Sequence, residues 1–217
     1  MIFLTHAAWL SLEVAALMGI LYPVFGFGCA YILSRPGFPF RRVLEALITL
    51  PLVFPPVAIG FFLLMLLGRG NVIGATLYRQ LGFELVFSVW GVLLAAFISG
   101  LPLVVKPILS AIESGTEDLL EASYTLGRGR WVSIFRVLIP SIRRSIIAGV
   151  TLGVGRSLGE VGITLMLGGN IIGRTETLSL AIYNSVLDGD FPRAAKISIL
   201  LGAASLVIFI ISRSMGE

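Results

Sequence analysis

The sequence has little charge, and this scarcity limits what kind of protein it can be. Charged residues make up 13% of the 217 residues, whereas 57% are hydrophobic. Ordinary soluble domains carry about 25% charged residues. So few polar side chains cannot cover a water-exposed surface, which argues against a soluble globular enzyme, a coiled coil and a disordered chain. The composition therefore predicts a membrane protein.

Cysteine and histidine are scarce as well. Cys29 and His6 are the single residues of their types, so neither an intrachain disulfide nor a Cys/His metal cluster is available. No basic stretch is interleaved with aromatic residues, which argues against nucleic acid as a partner. No Lys or Arg precedes Arg35, so the cationic segment of a cleavable signal is missing. The first apolar stretch is expected to remain as a membrane anchor.

Long uncharged runs predict the membrane-spanning helices. A helix needs about 20 apolar residues to cross the hydrocarbon layer, and three runs hold 21, 23 and 21 residues without a charge. A fourth, shorter run becomes long enough if it begins near Arg193. A fifth carries Arg156 and Glu160 in its middle and is interpreted as a span with a buried charge pair. The single transmembrane domain 1–217 is thus predicted to have spans at about 8–34, 44–68, 84–110, 140–168 and 193–213.

The cations fall unevenly on the connections between these spans. Cytoplasmic loops carry an excess of Lys and Arg, and ten of the sixteen cations lie on one side against four on the other. The richer side is therefore predicted to be cytoplasmic, with the N-terminus outside and the C-terminus inside. The ten are Arg35, Arg41, Arg42, Lys106, Arg128, Arg130, Arg136, Arg143, Arg144 and Arg213; the four are Arg69, Arg79, Arg174 and Arg193.

Proline interrupts two of the predicted spans. Pro51, Pro55 and Pro56 fall in the second, and Pro102 and Pro107 fall in the third. Each proline removes a backbone hydrogen bond that protein or a water-lined cavity must replace. Broken helices are common along substrate pathways, whereas kinks also serve packing alone, so both interpretations stay open. The glycine pairs Gly149/Gly153 and Gly155/Gly159 likewise permit close helix approach, either inside one bundle or at a dimer face.

The connection between the third and fourth spans predicts a short surface helix. Ser114 and Glu117 form a capping-box pattern at its start, and Gly127 is the expected left-handed stop at its end. Pro140 then occupies a first-turn position of the fourth span. Such a helix either docks into a groove on a soluble partner or merely connects two spans. Its small apolar ridge consists of Leu119, Leu120, Ala122, Ser123 and Leu126.

The same connection resembles the signature loop of permease subunits of binding-protein-dependent ATP-binding-cassette importers. That signature is Glu-Ala-Ala, three residues, Gly, nine residues, Ile, one residue, Leu-Pro. Glu121, Ala122, Gly127 and Pro140 match it, whereas Ser123, Val137 and Ile139 depart conservatively. The resemblance implies a coupling helix within loop 114–139 that inserts into a cleft of the ATPase. The residues implied for coupling are Glu117, Leu120, Glu121, Ala122, Ser123, Gly127 and Arg128.

Further segments are similar to the molybdate-type members of that family. The resemblance implies an all-α transmembrane fold, a five-helix type I importer bundle that moves an oxyanion inward by alternating access. Molybdate is the expected substrate, with tungstate, sulfate and thiosulfate as alternatives. ATP and Mg²⁺ are expected on the separate ATPase, so this chain is expected to be no enzyme and to bind no cofactor. The segments are Leu50–Val57, Gly68–Gly70, Ile73–Gly74, Glu121–Trp131, Gly155–Gly162, Gly168–Ile171 and Thr175–Thr177.

The expected partners follow from what the chain lacks. Neither Lys106 nor Lys196 follows a glycine, so no Walker A loop is available to bind ATP. One signature loop per chain, where this family needs two, indicates a homodimer, although a heterodimer is also compatible. The full set of expected partners is an ATPase dimer, an extracytoplasmic oxyanion-binding protein, a second copy of the chain and membrane lipid. The outer connections 69–84 and 168–193 are expected to receive the binding protein.

Arg156 and Glu160 are expensive to place in a membrane, since each charge costs roughly 2.5–3.5 kcal/mol at its centre. They are spaced to share one helix face and to neutralise each other. One hypothesis is an ion pair that orders the bundle; the other is that Arg156, Ser157 and Thr164 donate to a passing dianion. The candidate pathway or gate residues are Pro55, Pro56, Arg156, Ser157, Glu160 and Thr164.

Two other functional classes fit less well. An ATP-independent channel or secondary transporter explains the composition but not the signature loop. An intramembrane hydrolase needs a catalytic constellation within the spans. His6 lies at the entrance of the first span, and Asp188 and Asp190 lie in a loop, so the sequence gives that class little support.

Overall fold

The protein is a bundle of helices. The computed structural model describes residues 2–35, 37–82, 84–114 and 116–216, and no β-strand occurs among them. The elements in chain order are α1 Ile2–Leu33, α2 Arg41–Val53, α3 Pro56–Leu67, α4 Val72–Leu81, α5 Val89–Glu113, α6 Thr116–Thr125, α7 Arg130–Ser133, a π-helix Ile134–Leu138, α8 Ile139–Ser141, α9 Arg143–Leu158, α10 Gly162–Gly168, α11 Leu178–Leu187 and α12 Phe191–Gly216.

The centre of the bundle is formed by α1, α5 and α9, which pack closely because glycines lie between them. Gly149 and Gly153 of α9 face Val104 of α5, where an added Cβ at Gly153 would lie 2.5 Å from a Val104 methyl. One turn earlier on α5, a Cβ at Gly100 would overlap the Tyr22 hydroxyl of α1 and would lie 2.5 Å from Gly153 O. Gly149 and Gly153 therefore allow close packing inside the bundle, which is one of the two roles that the sequence left open; the other was a dimer face.

Within the described residues, three continuous helices are long and apolar enough to cross a membrane: Leu4–Leu33, Val89–Glu113 and Phe191–Ile211. A fourth span results if Arg130–Ser141 and Arg143–Leu158, which are bent by 70° relative to each other, count as one. The stretch predicted as the second span consists instead of two shorter helices, α2 and α3. A five-span bundle is thus still a prediction, and the observed breaks lie where proline and glycine interrupt the chain.

Two ion pairs attach α2 to α5, an attachment that sequence reasoning did not identify. The Arg41 guanidinium lies 2.6 Å from Glu113, and the Lys106 ammonium lies 2.7 Å from Glu45. Ile48 is the buried residue of α2, so these half-exposed pairs supplement a small apolar contact. Helix α2 is thus attached through its polar N-terminal part, and most of its apolar side chains are exposed.

Candidate coupling surface and transport pathway

The predicted surface helix is present as α6, and its end follows the prediction. Gly127 adopts φ +74°, a left-handed conformation that glycine tolerates best. Its backbone N–H donates to Tyr124 O at 2.9 Å, and the Arg128 N–H donates to Ser123 O at 3.2 Å. The predicted cap at Ser114 is wrong, because α5 runs to Glu113 and Ser114 ends that helix instead of starting α6.

The predicted coupling residues fall on opposite faces of α6 and the turn after it. Ala122, Gly127 and Arg128 are exposed, as are Leu119 and Leu126. Leu120 instead packs against the core of the bundle, and Ser123 is only 5% exposed. The side chains of Glu117 and Glu121 lie outside the described residues. Among the described side chains, the outward surface around Ala122 thus combines the apolar Leu119 and Leu126 with the cationic Arg128.

The segment after α6 continues this exposed surface toward the membrane helices. Trp131 and Phe135 are 71% and 63% exposed, and their rings stack with centroids 6.3 Å apart. A π-helix, a form frequent at functional sites, covers Ile134–Leu138. Pro140 lies in the first turn of the short α8, and α9 starts three residues later at Arg143. The prediction that Pro140 begins the fourth span itself is therefore corrected by the bend at Ile142.

Two helix breaks pack against each other. Between α2 and α3 the chain is extended at Phe54 and Pro55, and between α9 and α10 it is irregular from Gly159 to Val161. A Cβ on Gly162 would lie 2.9 Å from Pro56 Cβ and 3.0 Å from the Val57 nitrogen. Glycine at this position thus lets the two breaks pack directly against each other.

Arg156 and Glu160 connect the helices on the two sides of the second break. Arg156 Nη1 lies 2.8 Å from Glu160 Oε2. The other carboxylate oxygen, Oε1, accepts a hydrogen bond of 2.8 Å from the Ile163 N–H in the first turn of α10. Glu160 is 2% exposed, so its charge is buried, paired and hydrogen-bonded at once. Of the two sequence hypotheses, the observed contacts favour an ion pair that orders the bundle.

Ser157 and Thr164 lie apart from any exposed surface of the described chain. Ser157 Oγ is 2.5 Å from the Tyr22 hydroxyl and 3.0 Å from Ala96 O. Thr164 is 2% exposed. The hypothesis that both hydroxyls contact a passing anion is therefore not supported by their positions in this chain. Of the candidate pathway residues, Pro55 is exposed, and Pro56 and the Arg156 side chain, 32% exposed, are partly accessible.

The two connections predicted to lie outside are compact and hydrogen-bonded. In the first, Arg69 pairs with Glu84 and its guanidinium lies 4.5 Å from the centroid of the Tyr78 ring. These three residues line a cavity of about 360 Å³. In the second, Asn184 forms hydrogen bonds of 3.1 Å to Asn170 and 2.8 Å to the buried Glu176. Side-chain contacts therefore hold parts of both connections in a defined conformation.

Comparisons with known proteins identify the family. A family model described as "Binding-protein-dependent transport system inner membrane component" matches residues 23–216. The Molybdenum transport system permease protein ModB of Escherichia coli (strain K12) is 38% identical over 208 residues, which are 95% of this chain and 91% of that protein. The Sulfate transport system permease protein CysT of the same organism is 34% identical over 190 residues, 87% of this chain and 68% of that protein.

The fold agrees with a solved structure. The crystal structure of a bacterial ABC transporter involved in the import of the acidic polysaccharide alginate matches with a TM-score of 0.75 at 19% identity. The match covers 99% of this chain and 79% of the other. The predicted all-α importer fold is confirmed. The chain belongs to the family of inner membrane components of binding-protein-dependent transport systems, as a multi-pass permease subunit and not an enzyme.

Proposed function

We propose that this chain is the permease of an ATP-driven importer that carries molybdate into the cytoplasm by alternating access. The observation that supports this most is the 38% identity to the molybdenum permease over 95% of the chain. The sulfate permease is 34% identical over a smaller share. Sulfate and molybdate are both tetrahedral dianions, so sulfate and tungstate are the alternative substrates of the same mechanism.

The ATPase is proposed to dock on the outward face of α6. Leu119 and Leu126, 48% and 78% exposed, flank the small exposed Ala122. A soluble protein rarely leaves apolar side chains exposed together unless a partner or lipid covers them. A helix with a small residue at its centre also allows a partner backbone to approach closely. This side of the chain is proposed to be cytoplasmic, as the distribution of cations predicts.

Transport is proposed to use a homodimer with the pathway on its two-fold axis. In one chain, the exposed Gly155 and Gly159 lie beside the accessible part of Arg156, and a Cβ on Gly155 would meet nothing within 4 Å. A second copy related by symmetry would place the same small residues opposite these. The helix breaks at Phe54–Pro55 and Gly159–Val161 are the proposed points at which this pathway opens and closes. The outer connections are the proposed docking site of the binding protein.

The test is reconstitution of the whole importer. The chain is copurified with its ATPase, placed in liposomes and supplied in turn with binding protein loaded with molybdate, tungstate or sulfate. Molybdate-loaded binding protein is expected to stimulate ATP hydrolysis and uptake most strongly. Strongest stimulation by the sulfate-loaded form would overturn the substrate assignment while leaving the importer intact. Uptake that proceeds without ATP would overturn the importer itself and support a channel or secondary transporter.

A further inference from the structure

The turn that joins α6 to α7 does not by itself fix the direction of α6. Gly127 and Gly129 lie within this turn, and a Cβ on either would meet nothing within 4 Å. Both residues are exposed. Glycine has the largest conformational freedom of any residue, and exposed segments with few buried contacts open at low free energy. The two backbone hydrogen bonds of this turn, from Gly127 N–H and Arg128 N–H, end α6, and its orientation depends also on contacts outside the turn.

The described side chains of α6 make few such contacts. Among the α6 side chains that the structure describes, Leu120 and Ser123 are turned inward, whereas Leu119, Ala122 and Tyr124 are exposed. Leu120 is only partly buried against the core. An apolar contact is non-directional, so Leu120 holds α6 close to the bundle without setting its rotation about its own axis.

A buried pair of hydroxyl groups supplies a directional contact. Ser123 Oγ of α6 lies 2.7 Å from Ser133 Oγ of α7. Ser133 is 0% exposed, and its hydroxyl also lies 3.3 Å from Gly129 O at the end of the turn. Water has no access to this pair, so the hydrogen bond is not exchanged for one to solvent. Alanine, which the family signature has at the position of Ser123, could not form it.

We propose that Ser133 is a positioning residue for coupling: through Ser123 it fixes the rotation of α6 and joins α6, α7 and the π-helix into one rigid unit. This proposal rests on the proposed docking of the ATPase at α6. With Ser123 facing inward, Ala122 faces outward to the partner. When α6 is displaced, α7 then moves with it, and the turn at Gly127 and Gly129 does not bend to absorb the movement. The movement reaches the 70° bend that separates Arg130–Ser141 from Arg143–Leu158.

A disulfide tests whether the two helices stay together during transport. Because Cys29 is the single cysteine, the variant Cys29→Ala/Ser123→Cys/Ser133→Cys can form one intramolecular disulfide, and side chains this close are within its reach. The complex in liposomes is oxidised, and uptake and ATP hydrolysis are measured before and after reduction. The oxidised complex is expected to keep its ratio of substrate imported to ATP hydrolysed. Failure of the disulfide to form, or a loss of uptake that reduction restores, would overturn the rigid unit.

A second pair of variants separates coupling from folding. Ser133→Ala leaves the Ser123 hydroxyl buried without its partner, and the ratio of uptake to ATP hydrolysis is expected to fall about 2- to 10-fold. Ser123→Ala/Ser133→Ala removes both polar groups, so assembly is expected to recover while the lower ratio remains. Should Ser133→Ala fail to assemble, the double variant alone decides: a normal ratio in it would contradict the positioning role.

The matched control is Ser141→Ala in the same segment. Its hydroxyl bonds to Leu138 O within its own turn at 2.7 Å, so this substitution is expected to leave the ratio unchanged. Wild-type protein distinguishes the two levels of failure. If the wild-type chain shows no ATP-dependent uptake, the proposed function fails. If the wild-type chain couples normally and the serine variants do as well, only the positioning role fails.

Discussion

The helix core and the coupling segment are stabilised in opposite ways. In the core, α1, α5 and α9 touch through glycines, and the buried hydroxyls of Tyr22 and Ser157 bond across helices. In the coupling segment, α6 to α8, most of the described side chains are exposed, and a buried hydrogen bond between Ser123 and Ser133 joins α6 to α7. A tightly packed core cannot deform gradually. We therefore expect the core to supply stability, and movement during the proposed transport cycle to occur at the coupling segment and the helix breaks.

The largest effect on stability is expected from Arg156→Gln at the junction of α9 and α10. The change leaves the buried Glu160 without its charge partner, which costs about 3–5 kcal/mol in typical buried pairs. Thermal unfolding of the purified complex, followed by tryptophan fluorescence, measures the loss.

The matched control for this change is Arg156→Gln/Glu160→Gln, which removes both charges. Stability is expected to recover in the double variant. Recovery of uptake along with stability would show that the pair only orders the bundle. Recovered stability without uptake would show instead that Arg156 contacts the substrate.

A smaller loss is expected from Gly100→Ala in the core. The added methyl overlaps the Tyr22 hydroxyl and would lie 2.5 Å from Gly153 O. Overpacking of this kind costs about 1–3 kcal/mol. Gly19→Ala on α1 is the control, since its Cβ would meet nothing within 4 Å. An unfolding midpoint for Gly100→Ala equal to that of Gly19→Ala would contradict the tight packing of this core.

In the coupling segment, Ala122→Trp is expected to abolish ATPase binding while changing the stability of the chain by less than about 0.5 kcal/mol, as for most exposed positions. The bulky ring fills the surface that a partner must approach. Copurification with the ATPase measures the effect. Ala195→Trp, at an exposed position of α12, is the control. Normal recovery of the complex with Ala122→Trp would contradict docking at this face.

The smallest effect is expected from Glu113→Gln, which removes the ion pair to Arg41. Both side chains are about 40% exposed, and half-exposed pairs contribute about 0.2–1 kcal/mol. The unfolding midpoint at low salt should fall slightly, and added salt should erase the difference. If the unfolding midpoint of Glu113→Gln stays lower in high salt, the contact of Glu113 with α2 is not a screened surface ion pair, and the prediction is contradicted.

Parts of this architecture could be predicted from the sequence because they depend on local patterns. Uncharged runs place α1, α5 and α12, and Gly127 ends α6 where a left-handed stop was expected. These features arise from residues that are neighbours in the chain. The family signature, a local pattern too, coincides with the observed α6, whose coupling role stays a prediction.

Other parts depend on contacts between residues far apart in the chain. Ser157 was a pathway candidate, yet it is enclosed by Tyr22, which lies 135 residues earlier. Leu119 and Leu120 are adjacent and equally apolar, so periodicity over a helix of 10 residues could not say which one faces inward. Proline predicted a break after α2, but only the folded chain shows that Gly162 packs against it.

The neutralisation of Arg156 by Glu160 has a consequence for throughput. Both carboxylate oxygens are already engaged, one by the guanidinium and one by the Ile163 N–H. The junction thus presents a dipole with no net charge to whatever passes it. A dianion would be guided by that dipole without meeting an uncompensated cation that could hold it. On the proposed pathway we therefore expect short residence times at this junction, and we expect the binding protein to discriminate between anions.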